Sequence, residues 1–189
     1  MRPFAFALIV AAMLCMAGGR VAADALDGAL EVVSAYVDLD RSVYQLHARI
    51  EYPNTPAIRE ALADGVTLAF DVEARITRDR RFWIDPIVDD ATLRRELTYH
   101  AVSDHYVVRN VQTGEQQSFP TLDEALAFLG KVDGWPVLVE SQLAPREHYH
   151  VSVRAGIRRG RLPASLRMLL FWTNDWHRVS GWFTWTLPR

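Results

Sequence analysis

Between positions 30 and 52, apolar side chains recur at every second residue. The first run is Val33, Ala35, Val37 and Leu39, and the second is Tyr44, Leu46, Ala48, Ile50 and Tyr52, with Asp40-Arg41-Ser42 between them. A period of two is the mark of a strand with one buried face, so this stretch predicts two strands joined by a tight turn. The clearest strand covers residues 66–76. There Val66, Leu68, Phe70, Val72, Ala74 and Ile76 point one way and Thr67, Asp71, Glu73 and Arg75 the other, the pattern of a sheet with one face on a core and one in water. Similar alternation marks residues 93–99, 106–111 and 149–157, and a last strand is predicted near residues 181–187.

Two interruptions follow helical rules instead. Thr55 can accept from the backbone as an N-cap, Pro56 suits the first helical position and Gly65 can close the end, which predicts a short helix over residues 56–63. Thr121-Leu122-Asp123-Glu124 reads as a capping box ahead of Ala125, Leu126, Phe128 and Leu129, with Gly130 beyond. A third helix is predicted over about 163–170, opened by Leu162-Pro163. Seven to nine strands without regular strand–helix alternation favour a mainly β fold, an antiparallel, immunoglobulin-like β-sandwich with two or three short inserted helices. The competing architecture is a closed antiparallel β-barrel.

The amino terminus departs from these patterns. Arg2 precedes an apolar run of about 13 residues, then Ala17-Gly18-Gly19-Arg20-Val21-Ala22-Ala23. A charged start, an apolar middle and a small-residue end make residues 1–23 a secretory signal peptide with cleavage after Ala23, and the run is short for a bilayer span of about 20 residues. The expectation is an exported, periplasmic chain whose working part is one domain, residues 24–189. Cys15, the only cysteine, falls in the signal, so the mature domain has neither disulfide nor thiol chemistry. Leu14 before it is too bulky for a lipoprotein signal. Without Arg2 and Arg20 the domain carries 19 basic and 23 acidic residues, a balance that argues against nucleic acid as a partner.

No catalytic signature stands out. The chain has no Gly-x-Ser-x-Gly elbow, no His-Glu-x-x-His helix, no Ser-x-x-Lys run and no glycine-rich phosphate loop, and no cofactor is implied. His148 and His150, two apart on a predicted strand, share an outer face and are the metal candidates; a tight site needs a third ligand, from His47, His100 or His105. Asp38 with Asp40, and Asp89 with Asp90 in an apparent loop, are carboxylate pairs whose ordinary role is in turns and solvated edges.

The densest unusual feature lies near the carboxyl end. Leu166-Arg167-Met168-Leu169-Leu170-Phe171-Trp172 is followed by Trp176, His177, Trp182, Phe183 and Trp185, so four of the six tryptophans fall after position 170. Tryptophan anchors interfaces and membrane surfaces through a large apolar ring with one donor. Leu169, Phe171, Trp172 and Trp176 are therefore the candidate contacts, flanked by Arg167 and Arg178, which suit lipid phosphates or a partner's carboxylates. The bland alternative is that these rings close one end of a disulfide-free core.

The signal peptide, the strand pair of residues 30–52, Phe82-Trp83, Leu162-Pro163 and the closing Asp175-Trp176-His177-Arg178-Val179-Ser180-Gly181-Trp182-Phe183 resemble the proteobacterial exported family known as domain of unknown function 4390. The resemblance runs through essentially the whole mature chain. It implies a periplasmic or envelope setting, points toward a sensor kinase system as a partner, and supplies no activity, cofactor or catalytic residue. Together these readings favour a non-enzymatic binding or accessory module that docks an envelope membrane protein or the membrane surface. A periplasmic metal-binding protein using His148 and His150 is second, and a hydrolase with a scattered site third.

Overall fold

Arg41 and Ser42 both take positive φ, 46° and 66°. A two-residue hairpin turn of type I′ requires that left-handed pair, and its twist then matches the twist of the flanking strands. In the computed structural model, which describes residues 28–79, 86–160 and 177–188, this turn joins β1 (Glu31–Asp40) to β2 (Val43–Glu51) as an antiparallel pair. The predicted hairpin is thus present, with one correction. A bulge between Val32 and Ser34 carries an extra residue, so Val32 is buried opposite Ile50 while Val33 is 43% exposed, and the inward row resumes at Ala35 and Val37. Leu39, next to the hairpin tip, is 48% exposed.

Both predicted helices form with the caps their sequences announce. α1 (Pro56–Ala63) begins where Thr55 accepts a hydrogen bond from the Ile58 amide at 3.2 Å, and it buries Ile58, Ala61 and Leu62. α2 (Leu122–Leu129) begins where Thr121 Oγ1 accepts from the Glu124 amide at 3.2 Å and donates to the Glu124 carboxylate at 3.1 Å. The third predicted helix, like the signal peptide, lies outside the described residues.

The remaining strands are β3 (Leu68–Arg78), β4 (Ile87–His100), β5 (His105–Asn110), β6 (Gln116–Phe119), β7 (Lys131–Val139), β8 (Tyr149–Arg159), β9 (His177–Val179) and β10 (Phe183–Thr186). Three of these, β6, β7 and β9, were not expected. Asp89 and Asp90 lie within β4, not in a loop. All pairings are antiparallel and give two open sheets, a small one in the order β1-β2-β7 and a large one in the order β10-β8-β3-β4-β5-β6, with β9 also on β8. Among the described residues neither sheet closes, which removes the barrel alternative.

The two sheets bury their inner rows in one hydrophobic cluster. Phe70, Val72, Ala74 and Ile76 of β3 and Val151, Val153, Ala155 and Ile157 of β8 share it with Tyr44, Leu46, Ala48 and Ile50 of β2. Arg95 also lies on the inner side of β4, between Leu93 and Leu97, and its charge is taken up locally. Its Nη1 donates to the Phe128 carbonyl at 3.2 Å, one that the end of α2 leaves open, and to the Lys131 carbonyl at the start of the next strand at 2.9 Å. Burial pulls the Arg95 guanidinium below its ordinary value and raises the nearby Tyr52 phenol well above its own, with Arg95 opposing the latter shift.

Gly130, which ends α2, sits against β2. Its amide donates to the Leu126 carbonyl at 2.8 Å and its carbonyl accepts from the Ile50 amide at 2.8 Å, and a Cβ there would run into the Ile50 carbonyl oxygen. Backbone cannot yield as a side chain tip does. Gly130→Ala is therefore expected to cost about 2 kcal/mol in a urea melt, by overpacking; wild-type stability would contradict the close approach.

Candidate binding face

On β3 the residues opposite the core row are Asp71, Glu73, Arg75 and Thr77, and the register sets their neighbours. Across β4, Arg94 faces Asp71 and Asp90 faces Arg75; across β8, Arg154 faces Glu73, Ser152 faces Arg75 and His150 faces Thr77. The alternation of residues 66–76 predicted a face in water. Instead the row lies under its own side chains, and Asp71 is only 8% exposed.

The cover is a set of ion pairs. Asp71 accepts from Arg94 through Nε at 2.6 Å and Nη2 at 3.0 Å, and from Arg158 Nε at 2.9 Å. Gly156, opposite Asp71 on β8, contributes no side chain, and the space a Cβ would take there is met by Val179 of β9. Burial by itself raises the Asp71 carboxyl, but hydrogen bonds and charge from Arg94 and Arg158 outweigh it and hold the carboxyl below the usual carboxylate range. One row along, Arg154 gives Glu73 two hydrogen bonds, from Nε at 2.9 Å and Nη2 at 2.8 Å.

Beside these pairs stands a tryptophan. β9 and β10 both pair with β8, and between them Ser180 makes the crossing: its amide donates to the Ala155 carbonyl at 2.8 Å, and its Oγ accepts from the Ala155 amide at 3.0 Å and donates to the Gly181 carbonyl at 2.8 Å. The chain re-enters the sheet at Phe183, opposite Val153, so Phe183 and Trp185 turn toward the core while Thr184 meets Ser152 outside at 2.8 Å. Trp182, at the kink, lies on the outer face. The guanidinium carbons of Arg154 and Arg75 sit 4.5 Å and 4.9 Å from its ring centroid, and the residue is still 38% exposed. Glu73 fixes Arg154 through two hydrogen bonds, whereas Arg75 rises from β3 with its Nε buried and without a hydrogen-bond partner among the described residues. The ring is thus held by cation–π contacts on a rigid sheet with part of its surface in water.

A family model described as domain of unknown function (DUF4390) matches residues 28–186. The chain belongs to the DUF4390 family. No curated protein and no solved structure matches it. Within this DUF4390 domain, the described part of the closing motif has a structural purpose: Ser180 and Gly181 make the kink, and Trp182 is what the kink presents.

Leu169, Phe171, Trp172, Trp176 and Arg167 lie outside the described residues. Arg178 pairs with Ile157 on β8, a core-side position, and is half-buried, so it does not share the outer face with Trp182. His148 precedes β8 and is exposed; His150 is on the outer face as expected, with its Nε2 4.0 Å from an Asp79 carboxylate oxygen. The proposed third ligands are elsewhere. His100 and His105 lie at the other end of the large sheet, about 40 Å along the strands at roughly 3.3 Å per residue. His47 is in the small sheet. Among the described residues, no group of three or more histidine, cysteine or acidic side chains is placed to hold a metal ion.

His47 makes a cluster of its own. The ring stacks on Tyr36 with centroids 4.7 Å apart, its Nδ1 meets Asp133 at 2.8 Å and its Nε2 meets Asp38 at 3.0 Å. Since the two ring nitrogens point apart, the two carboxylates cannot share one ion with the imidazole, and the cluster ties β1, β2 and β7 together. Lys131 and then His47 hold the Asp133 carboxyl below its usual range. Sequence reasoning missed Trp182, Arg75 and Arg154 as one group, although alternation already put both arginines outward.

Proposed function

We propose that this DUF4390 domain is a non-enzymatic envelope binding or accessory module, exported by residues 1–23, that docks a membrane protein; a sensor kinase is the partner class the family resemblance suggests. The observation that carries this reading is Trp182, held over Arg75 and Arg154 yet 38% exposed. A positioned, partly hydrated indole loses little conformational freedom on contact and has apolar area left to bury, which is what interface anchors require. The immunoglobulin-like form of the sandwich belongs to the same proposal, with two antiparallel sheets over one core supporting it.

Affinity capture from solubilised envelope with the mature chain, identified by mass spectrometry, tests the proposal beside a Trp172→Ala/Trp176→Ala variant. The expected result is a specific membrane protein that the variant loses while its thermal melt stays cooperative. Equal capture by both chains would remove the aromatic segment from the interface. A variant that fails to fold would place those rings in the core, and binding to protein-free vesicles alone would make the partner the membrane surface.

A further inference from the structure

β1 is an edge strand, and it is poorly defended. Its partner in the small sheet is β2, and although it packs against β8 and β10, its other side pairs with no strand among the described residues. Natural sheets protect their edges with short strands, prolines, lysines or bulges. The other edges follow that rule. β6 and β10 are four residues each, and β7 carries Pro136, a positive-φ Gly134 and two register breaks. β1 is ten residues long, contains neither proline nor lysine, and beyond the bulge at its start is regular from Ser34 to Asp40. It also bears Val33, Tyr36 and Leu39, three of the large apolar side chains that stand exposed.

The surroundings of this edge select an occupant. Toward the hairpin tip, Val37, Leu39, Tyr44, Leu143 and Pro188 line a cavity of about 480 Å³ with Asp38 and Glu140 at its wall. On the outer side the strand presents Asp38, one of whose oxygens meets His47, and Asp40, 4.0 Å from Arg41 at the turn, and Glu31 stands at its start, with no cation on the strand itself. A second copy fits badly. Centred antiparallel pairing of β1 with itself sets Glu31 opposite Asp40 at both ends, and parallel pairing stacks each acid on its own copy, so like charges oppose each other either way.

We propose that the free edge of β1 takes up an extended segment of a partner protein by strand addition. That segment alternates apolar residues, which extend the Val37 and Leu39 row into the cavity, with lysine or arginine, which meet Asp38 and Asp40. Main-chain hydrogen bonds supply affinity and the two rows supply selectivity. The inference is independent of the Trp182 proposal, since β1 belongs to the other sheet.

The test uses the mature chain and a synthetic peptide alternating lysine and valine, about nine residues long, read by amide hydrogen exchange resolved along the chain. The expected result is slowed exchange in β1 and an affinity that falls about tenfold or more in Leu39→Lys and in Asp40→Lys. Both positions are exposed, and a thermal melt checks that the variants stay folded. A fully N-methylated peptide, which keeps the charges but loses the strand's donors, is expected not to bind. Equal binding of the methylated peptide, protection confined to β6 or β10, or the absence of protection at β1 would overturn the proposal. So would a dimer of the free chain that Leu39→Lys dissolves, since the edge would then belong to a second copy.

Discussion

Asp71→Ala is expected to lower the stability of the domain by about 3 kcal/mol at neutral pH, the lower end of what removal of one partner from a buried ion pair costs. The carboxylate it deletes is 8% exposed and accepts three hydrogen bonds from two arginines. Without it, Arg94 and Arg158 keep their charges on a crowded face with nothing to receive their Nε protons. Their side chains are 39% and 35% exposed, so water recovers part of the loss, which keeps the figure at that lower end. The pH dependence has a definite sign. Because Arg94 and Arg158 depress the carboxyl in the folded state, the unfolded chain takes up a proton first on acidification. The contribution of Asp71 is therefore complete above the unfolded carboxyl value of about 3.9 and is lost as pH falls through the lower, folded value. Urea melts at neutral pH and at about pH 3 check both parts: the wild type should lose more stability on acidification than Asp71→Ala, and parallel losses would contradict the assignment.

Trp182→Ala is expected to weaken partner binding about 100-fold, in the range of a central anchor of 2–3 kcal/mol, while changing folding stability by about 1 kcal/mol or less. The separation of the two effects follows from position. The core beneath Trp182 is closed by Val153 and Ala155 of β8, and Phe183 and Trp185 pack against it from β10, so removal of an outer ring leaves no internal void. What is lost is the cation–π contact with Arg75 and Arg154 and the apolar area offered to a partner. A binding isotherm and a thermal melt on the same variant read the two quantities. A large loss of stability without loss of affinity would make Trp182 a structural cover for Asp71 and Glu73.

Local chemistry carried the legible part of the fold. Thr55 with Pro56 and the Thr121 capping box each mark the start of a helix that forms, because an N-cap is decided within one turn of chain. The inner row from Val66 to Ile76 is equally plain, since its period needs only one strand to be seen. What failed depended on a partner. The bulge at Val33 arises in the pairing with Ile50 and Arg49, so the row beginning at Val33 was offset at its first member. β7 escaped notice because Gly134 and Pro136 break its period, and β6 because Gln116-Gln117-Ser118 has no apolar row. Asp89 and Asp90 looked like a loop and lie in β4 opposite Ile76 and Arg75. The face around Trp182 was beyond local reading for the same reason: Asp71, Arg94, Arg154 and Trp182 come from four distant segments, and only the order β10-β8-β3-β4 sets them side by side.

The central claim is that the ion-paired outer face of the large sheet presents Trp182 for binding. Its most direct test is parallel envelope capture with residues 24–189 of the wild type and of Trp182→Ala, each verified as folded by its melt and quantified by mass spectrometry. The expected result is a membrane protein enriched by the wild type and depleted at least about tenfold with the variant. Equal recovery of the same protein by both folded chains would contradict the claim.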